Sequence, residues 1–78
     1  MIWLYERGRE ILRLETRYDS GADAYVLVVV WSDNRVETER FRDPAVFDLR
    51  LRTLERELAA EQWVQVGAPT ILTEGWKA

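Results

Sequence analysis

The sequence predicts an α+β domain: a four-stranded antiparallel meander followed by one amphipathic helix packed on one face, with a possible short fifth strand near the C-terminus. Three observations carry this. Ala24–Trp31 (AYVLVVVW) is an unbroken run of eight apolar residues, a helical repeat of leucines follows Asp43-Pro44, and clusters of turn formers separate the remaining segments. The apolar run is too short to span a membrane and too evenly apolar for a half-exposed strand. It reads as a strand buried on both faces.

Met1–Tyr5 (MIWLY) reads as a first strand and Arg7-Gly8 as a two-residue turn, with glycine supplying the positive φ that tight hairpins need. A second strand runs from Glu10 to Tyr18, and pairing around that turn sets Leu4 opposite Ile11 and Trp3 opposite Leu12. The turn formers Asp19-Ser20-Gly21-Ala22-Asp23 make a five-residue loop into the apolar run, placing Tyr18 opposite Ala24, Leu14 opposite Val28 and Leu12 opposite Val30. Ser32–Arg35 is the next turn. Val36–Phe41 (VETERF) follows as a charged edge strand guarded against aggregation.

Asp43 is a helix N-cap and Pro44 the first helical residue, where a missing N–H is harmless. The helix is expected from Pro44 to Gln62. Phe47, Leu51, Leu54 and Leu58 form its sheet-facing stripe, flanked by Val46 and by Ala59 or Gln62. Asp48 and Arg52 form an i,i+4 pair on the wet side, and the charge run Arg50–Glu57 is a solvated face. Residues 1–68 are expected to form the single ββββα domain. Residues 69–78 form a C-terminal segment, in which Thr70–Thr73 is a short strand or part of an ordered tail and Trp76 is a docking candidate.

This register sorts side chains onto two faces. Leu12, Leu14, Thr16, Tyr18, Val26, Val28 and Val30, with Trp3, are expected beneath the helix. Tyr25, Leu27, Val29 and Trp31 are expected on the second face with Ile11, beside Arg13, Glu15 and Arg17, with Val36, Thr38 and Arg40 on the far strand. Val36 and Phe41 cannot both face inward without a bulge. The second face is thus an apolar and aromatic stripe rimmed by arginine, the kind of patch that marks an interaction site. Tyr25, Leu27, Val29, Trp31, Arg13, Arg17 and Arg40 are its candidate binding residues. A homodimer mate, a protein or nucleic-acid partner, or the C-terminal segment would cover it.

Composition narrows the function. The 78 residues include no cysteine and no histidine, so disulfides are excluded and zinc, haem and iron–sulfur sites lack their usual ligands. No cofactor or metal is expected. A domain this small gains stability from oligomerisation when other staples are missing, and a homodimer is the expectation. Nucleophilic and acid–base catalysis mostly draw on His, Cys or a base-activated Ser; Ser20 and Ser32 both sit in turns. The pairs Glu37/Glu39 and Glu55/Glu57 are solvated, so no catalytic residue is assigned and a non-enzyme is expected. Net charge is −3, with seven Arg against eight acidic residues in 1–42 and three against five in 43–63. That lacks the basic excess of most nucleic-acid binders. Glu6, Arg7 and Arg9 follow Met1–Tyr5 at once, which is unlike a signal peptide, and a cytoplasmic protein without membrane contact is expected.

Four antiparallel strands and an amphipathic helix over residues 1–62 form an order of elements similar to that of the single-stranded-DNA-binding coactivator family and the related Whirly-type domains, with no sequence motif in common. The resemblance implies an oligomer that binds strands on a curved sheet. In it, Arg13, Arg17 and Arg40 would contact phosphates, and Tyr25 and Trp31 would stack on bases. The leading expectation is a small non-catalytic interaction module that self-associates through its second sheet face. A single-stranded nucleic-acid-binding domain is the alternative.

Overall fold

The computed structural model describes residues 1–70. Its elements are β1 (Ile2–Arg7), β2 (Glu10–Asp19), β3 (Ala24–Val30), β4 (Val36–Phe41), α1 (Pro44–Ala60) and β5 (Val64–Thr70). The strands form one antiparallel sheet in the order β4-β3-β2-β1-β5, with α1 carrying the chain from one edge to the other. This is the α+β meander and helix that the sequence predicts, with a fifth strand added beside β1.

The β1–β2 turn is Gly8-Arg9, one residue later than expected, with Gly8 at φ 61° in the first loop position. A positive φ there suits a two-residue hairpin whose twist matches its strands. Trp3 consequently pairs with Leu14, Leu4 with Arg13 and Tyr5 with Leu12. The pairing moves by two residues from the expected one, so every side chain keeps its expected face.

The next hairpin differs by one residue, and the consequence is larger. Asp19 belongs to β2 and pairs with Ala24; its Oδ1 accepts the backbone N–H groups of Gly21 and Ala22 at 3.1 and 3.3 Å. Asp23 takes the left-handed conformation, φ 52°, and closes a four-residue loop instead of the expected five. Leu14 therefore pairs with Val29, Thr16 with Leu27 and Tyr18 with Tyr25. A one-residue slip reverses a strand's faces. Tyr25, Leu27, Val29 and Trp31 turn toward α1, while Val26, Val28 and Val30 turn away, which corrects the expected assignment of both sets.

The β3–β4 turn lies where the sequence places it. Trp31 N–H donates to the Arg35 carbonyl, Asn34 N–H donates back to that of Trp31, and Asn34 adopts φ 69°. Val30 pairs with Val36 and Tyr25 with Phe41 without a bulge, so Val36 faces away from the helix and Phe41 toward it.

Asp43 caps α1, its Oδ1 accepting the Ala45 N–H at 2.9 Å, with Pro44 in the first turn. The helix ends at Ala60, two residues before the expected Gln62. Gln62 takes φ 72°; its N–H donates to the Ala59 carbonyl and that of Trp63 donates to Leu58. These bonds make a Schellman cap with glutamine where glycine is usual, and Trp63 closes it by packing with Leu58. Leu54 and Leu58 meet Tyr5, Leu12, Leu14, Leu27, Val29 and Trp63 in one core, flanked by Trp3, Trp31, Phe41, Phe47 and Leu51. Tyr25 stacks on Phe47 at 5.0 Å between ring centres. Val46 and Leu49 stay exposed. Arg50, expected in solvent, instead reaches β4 and grips both carboxylate oxygens of Glu39 at 3.1 Å. Asp48 and Arg52 form the expected i,i+4 pair at 3.0 Å.

β5 begins immediately after the Schellman cap. Val64 pairs with Glu6, Gln65 with Tyr5 and Val66 with Leu4, and the register then shifts before Thr70 pairs with Ile2. Gly67 lies within that irregularity at φ 70°. The strand crosses the boundary expected at residue 68. The expected strand over 70–73 falls, apart from Thr70, outside the described residues, as does Trp76.

Leu54→Ala should cost roughly 2–5 kcal/mol, since it empties the centre of the helix–sheet contact. In so small a domain the variant should be largely unfolded in a urea or thermal melt; a loss below about 1 kcal/mol would remove Leu54 from the core. Gln62→Gly should raise stability by roughly 0.5–1 kcal/mol, because a left-handed residue then carries no Cβ. A lowered melting temperature would contradict the cap.

Candidate interaction surface

The helix covers one face of the sheet and leaves the other open. The registers place on the open face Val64 and Val66 of β5, Ile2, Leu4 and Glu6 of β1, and Ile11, Arg13, Glu15 and Arg17 of β2. Val26, Val28 and Val30 of β3 and Val36, Thr38 and Arg40 of β4 complete it. Leu4, Ile11, Val36, Val64 and Val66 are exposed by 42–66%. Side chains of this size are costly to leave in water.

The residues form rows across the strands. One row is Val66–Leu4–Arg13–Val30–Val36, the next is Ile2–Glu15–Val28–Thr38, and a third is Arg17–Val26–Arg40. Val26 is fully buried although it faces away from α1. Its cross-strand neighbours are Arg17 and Arg40, and the long apolar stems of arginine shield such a position while the charged heads stay wet.

Two of the three arginines on this face are paired with carboxylates of the same chain. Arg13 Nε sits 2.7 Å from Glu15 Oε2, and Arg40 is 3.2 Å from Asp19 Oδ2. Arg40, followed by the backbone N–H of Ala22, holds the Asp19 carboxyl below the usual carboxylate range. On the other face, a hydrogen bond to Asp23 is the main cause of the raised Tyr18 hydroxyl pKa.

The seven candidate residues thus divide. Arg13, Arg17 and Arg40 lie on the open face, as expected. Leu27 and Val29 are buried in the core, Tyr25 lies against Phe47, and Trp31 is set edge-on to Trp63 with centres 6.3 Å apart. The valines of β3 stand where those four were expected, and Val64 and Val66 join them from β5. No aromatic side chain lies on the open face among the described residues. Tyr25 and Trp31 therefore do not provide there the stacking platform that the topological resemblance implies.

Elsewhere, a shallow depression on the solvent side of α1 is lined by Leu49, Arg52, Glu55, Arg56 and Ala59. Among the described residues no three metal-ligating side chains converge, and no helix is long and apolar enough to cross a membrane. Comparison with protein-family models, with curated proteins and with solved structures finds no match.

The Asp19 carboxyl should titrate below an ordinary aspartate, and Arg40→Ala should move it upward. A lowered folded pKa means that the stabilisation is present above the unfolded value and is lost as pH falls through the folded one. Carboxyl-carbon NMR titration of both proteins checks this; an ordinary value in the parent chain would dissolve the ion pair.

Proposed function

We propose that the protein is a non-catalytic interaction module that self-associates through the open face of its sheet. One observation carries the reading: an antiparallel sheet with a helix on one side presents Leu4, Ile11, Val36, Val64 and Val66 to solvent on the other. Apolar side chains gathered on one exposed sheet face are of the kind found at interaction sites, and a domain without disulfides gains stability by covering them. Two of the three arginines on that face are already matched by carboxylates, which suits a protein surface better than a polyanion. Absence of histidine and cysteine from the sequence supports a non-catalytic role.

Val28→Lys tests the reading. Its cross-strand neighbours are Glu15 and Thr38, so the new ammonium is tolerated in the folded monomer but is desolvated in an apolar contact. Sedimentation across concentrations up to about 100 μM should show the parent chain assembling and Val28→Lys monomeric, with similar melting curves at low concentration. A monomeric parent chain, or unchanged assembly of the variant, overturns the proposal.

A further inference from the structure

We infer that the occupant of the open face is a second copy of the chain, related by a two-fold axis that lies in the interface, perpendicular to the strands, and crosses β2 at the level of Leu14. This rests on the reading of the open face as a self-associating surface and specifies one arrangement of it. β2 is the middle strand of five, and its outward side chains at the centre of the face are Arg13 and Glu15. In the aligned class of sheet packing, which the arrangement takes, two face-to-face sheets keep their strands within about 30° of one another. A two-fold relation then leaves two choices.

An axis along the strands would set Arg13 on its own copy and Glu15 on its own copy, with like charges desolvated at the centre. Such juxtaposition is strongly unfavourable. The perpendicular axis exchanges the two central rows. Arg13 then meets Glu15 of the second copy, and with the 2.7 Å pair inside each chain the four groups form an alternating square. The same operation sets Ile2 on Leu4 and Val28 on Val30, so apolar groups meet apolar groups on β1 and β3, and it sets Val36 on Thr38, which carries a methyl group, on β4.

The outer rows support the same axis independently. Glu6, which pairs with Ile11 across the strands, stands one step beyond the Leu4–Arg13 row; Arg17 stands one step beyond Glu15 on the opposite side. Neither makes an ion pair among the described residues. The perpendicular axis brings Arg17 of one copy over Ile11 of the other, next to Glu6. Each unpaired charge on the rim thereby gains an opposite partner.

The arrangement predicts complementation between two defective variants. Arg13→Glu carries only acidic groups at the centre and Glu15→Arg only basic ones, so each alone should associate at least about tenfold more weakly than the parent chain. Mixed in equal amounts they should form a heterodimer, because every contact between the copies at the square is then between opposite charges. Sedimentation velocity reads all three samples, and circular dichroism checks that each variant is folded.

A second measurement does not depend on charge or on those variants folding. The chain lacks cysteine, so Val28→Cys and Val30→Cys can be mixed and oxidised; the perpendicular axis predicts that the mixed disulfide outweighs both homodisulfides. Predominance of homodisulfides, or a mixture of the charge variants that stays monomeric while the parent chain dimerises, overturns the arrangement and leaves self-association standing. A parent chain that is monomeric overturns both.

Discussion

The pairing of β2 with β3 is the constraint on which the rest of the molecule depends. It decides which residues of a wholly apolar strand enter the core and which stay outside. Leu27 and Val29 complete the layer of Tyr5, Leu12 and Leu14 beneath Leu54 and Leu58 because Asp19 pairs with Ala24. Alternation along the strand does not choose this register. Tyr25, Leu27, Val29 and Trp31 on one side and Val26, Val28 and Val30 on the other are both wholly apolar or aromatic sets, so residue type along the strand shows no alternation, although the first set is the larger and gains more from burial. Loop chemistry fixes the same register: the Asp19 carboxylate binds the N–H groups of Gly21 and Ala22, and Asp23 accepts a left-handed backbone.

Most of the fold was legible in the sequence because its signals were local and redundant. The Asp43-Pro44 cap, the Phe47–Leu58 stripe and the Asn34 turn each rest on residue types with one strong conformational preference. The faces of β2 were legible as well, since apolar Leu12 and Leu14 alternate with Arg13 and Glu15, and this is why the three arginines were placed correctly. β3 has no such alternation, and one residue of loop length reversed it. β5 was misplaced toward the C-terminus for a different reason: Val64–Pro69 contains Gly67 and Pro69, which read as breakers, although a bulged edge strand tolerates both.

The two ends of the helix connect these parts. At its start, Arg50 ties the first turns to Glu39 on β4; at its finish, the Schellman cap turns the chain straight into β5 beside β1. A single helix thereby spans the whole sheet and fixes both edges. Trp63 serves as capping contact and core residue together, and its indole N–H is buried without an acceptor among the described residues, as is that of Trp31. Leaving such a donor unpaired costs about 1–3 kcal/mol. Close aromatic contact between the two rings, with Arg7 over Trp63 and Arg35 over Trp31, offsets part of that cost.

The edges of the sheet bear on how far assembly can proceed. β5 carries an interrupted ladder and, at Pro69, a residue with no N–H to donate, so a strand added there finds a broken template. At β4, an antiparallel copy with both helices on one side would have to align helix-facing residues with helix-facing residues, and registers centred on the strand set Glu37 against Glu39 or Glu39 against itself. Sideways growth is therefore frustrated at both borders, and Glu39 is already committed to Arg50. In the self-association proposed above, the open face of one copy is consumed by the other, so assembly would stop at a closed particle of defined size and would not continue into a fibre.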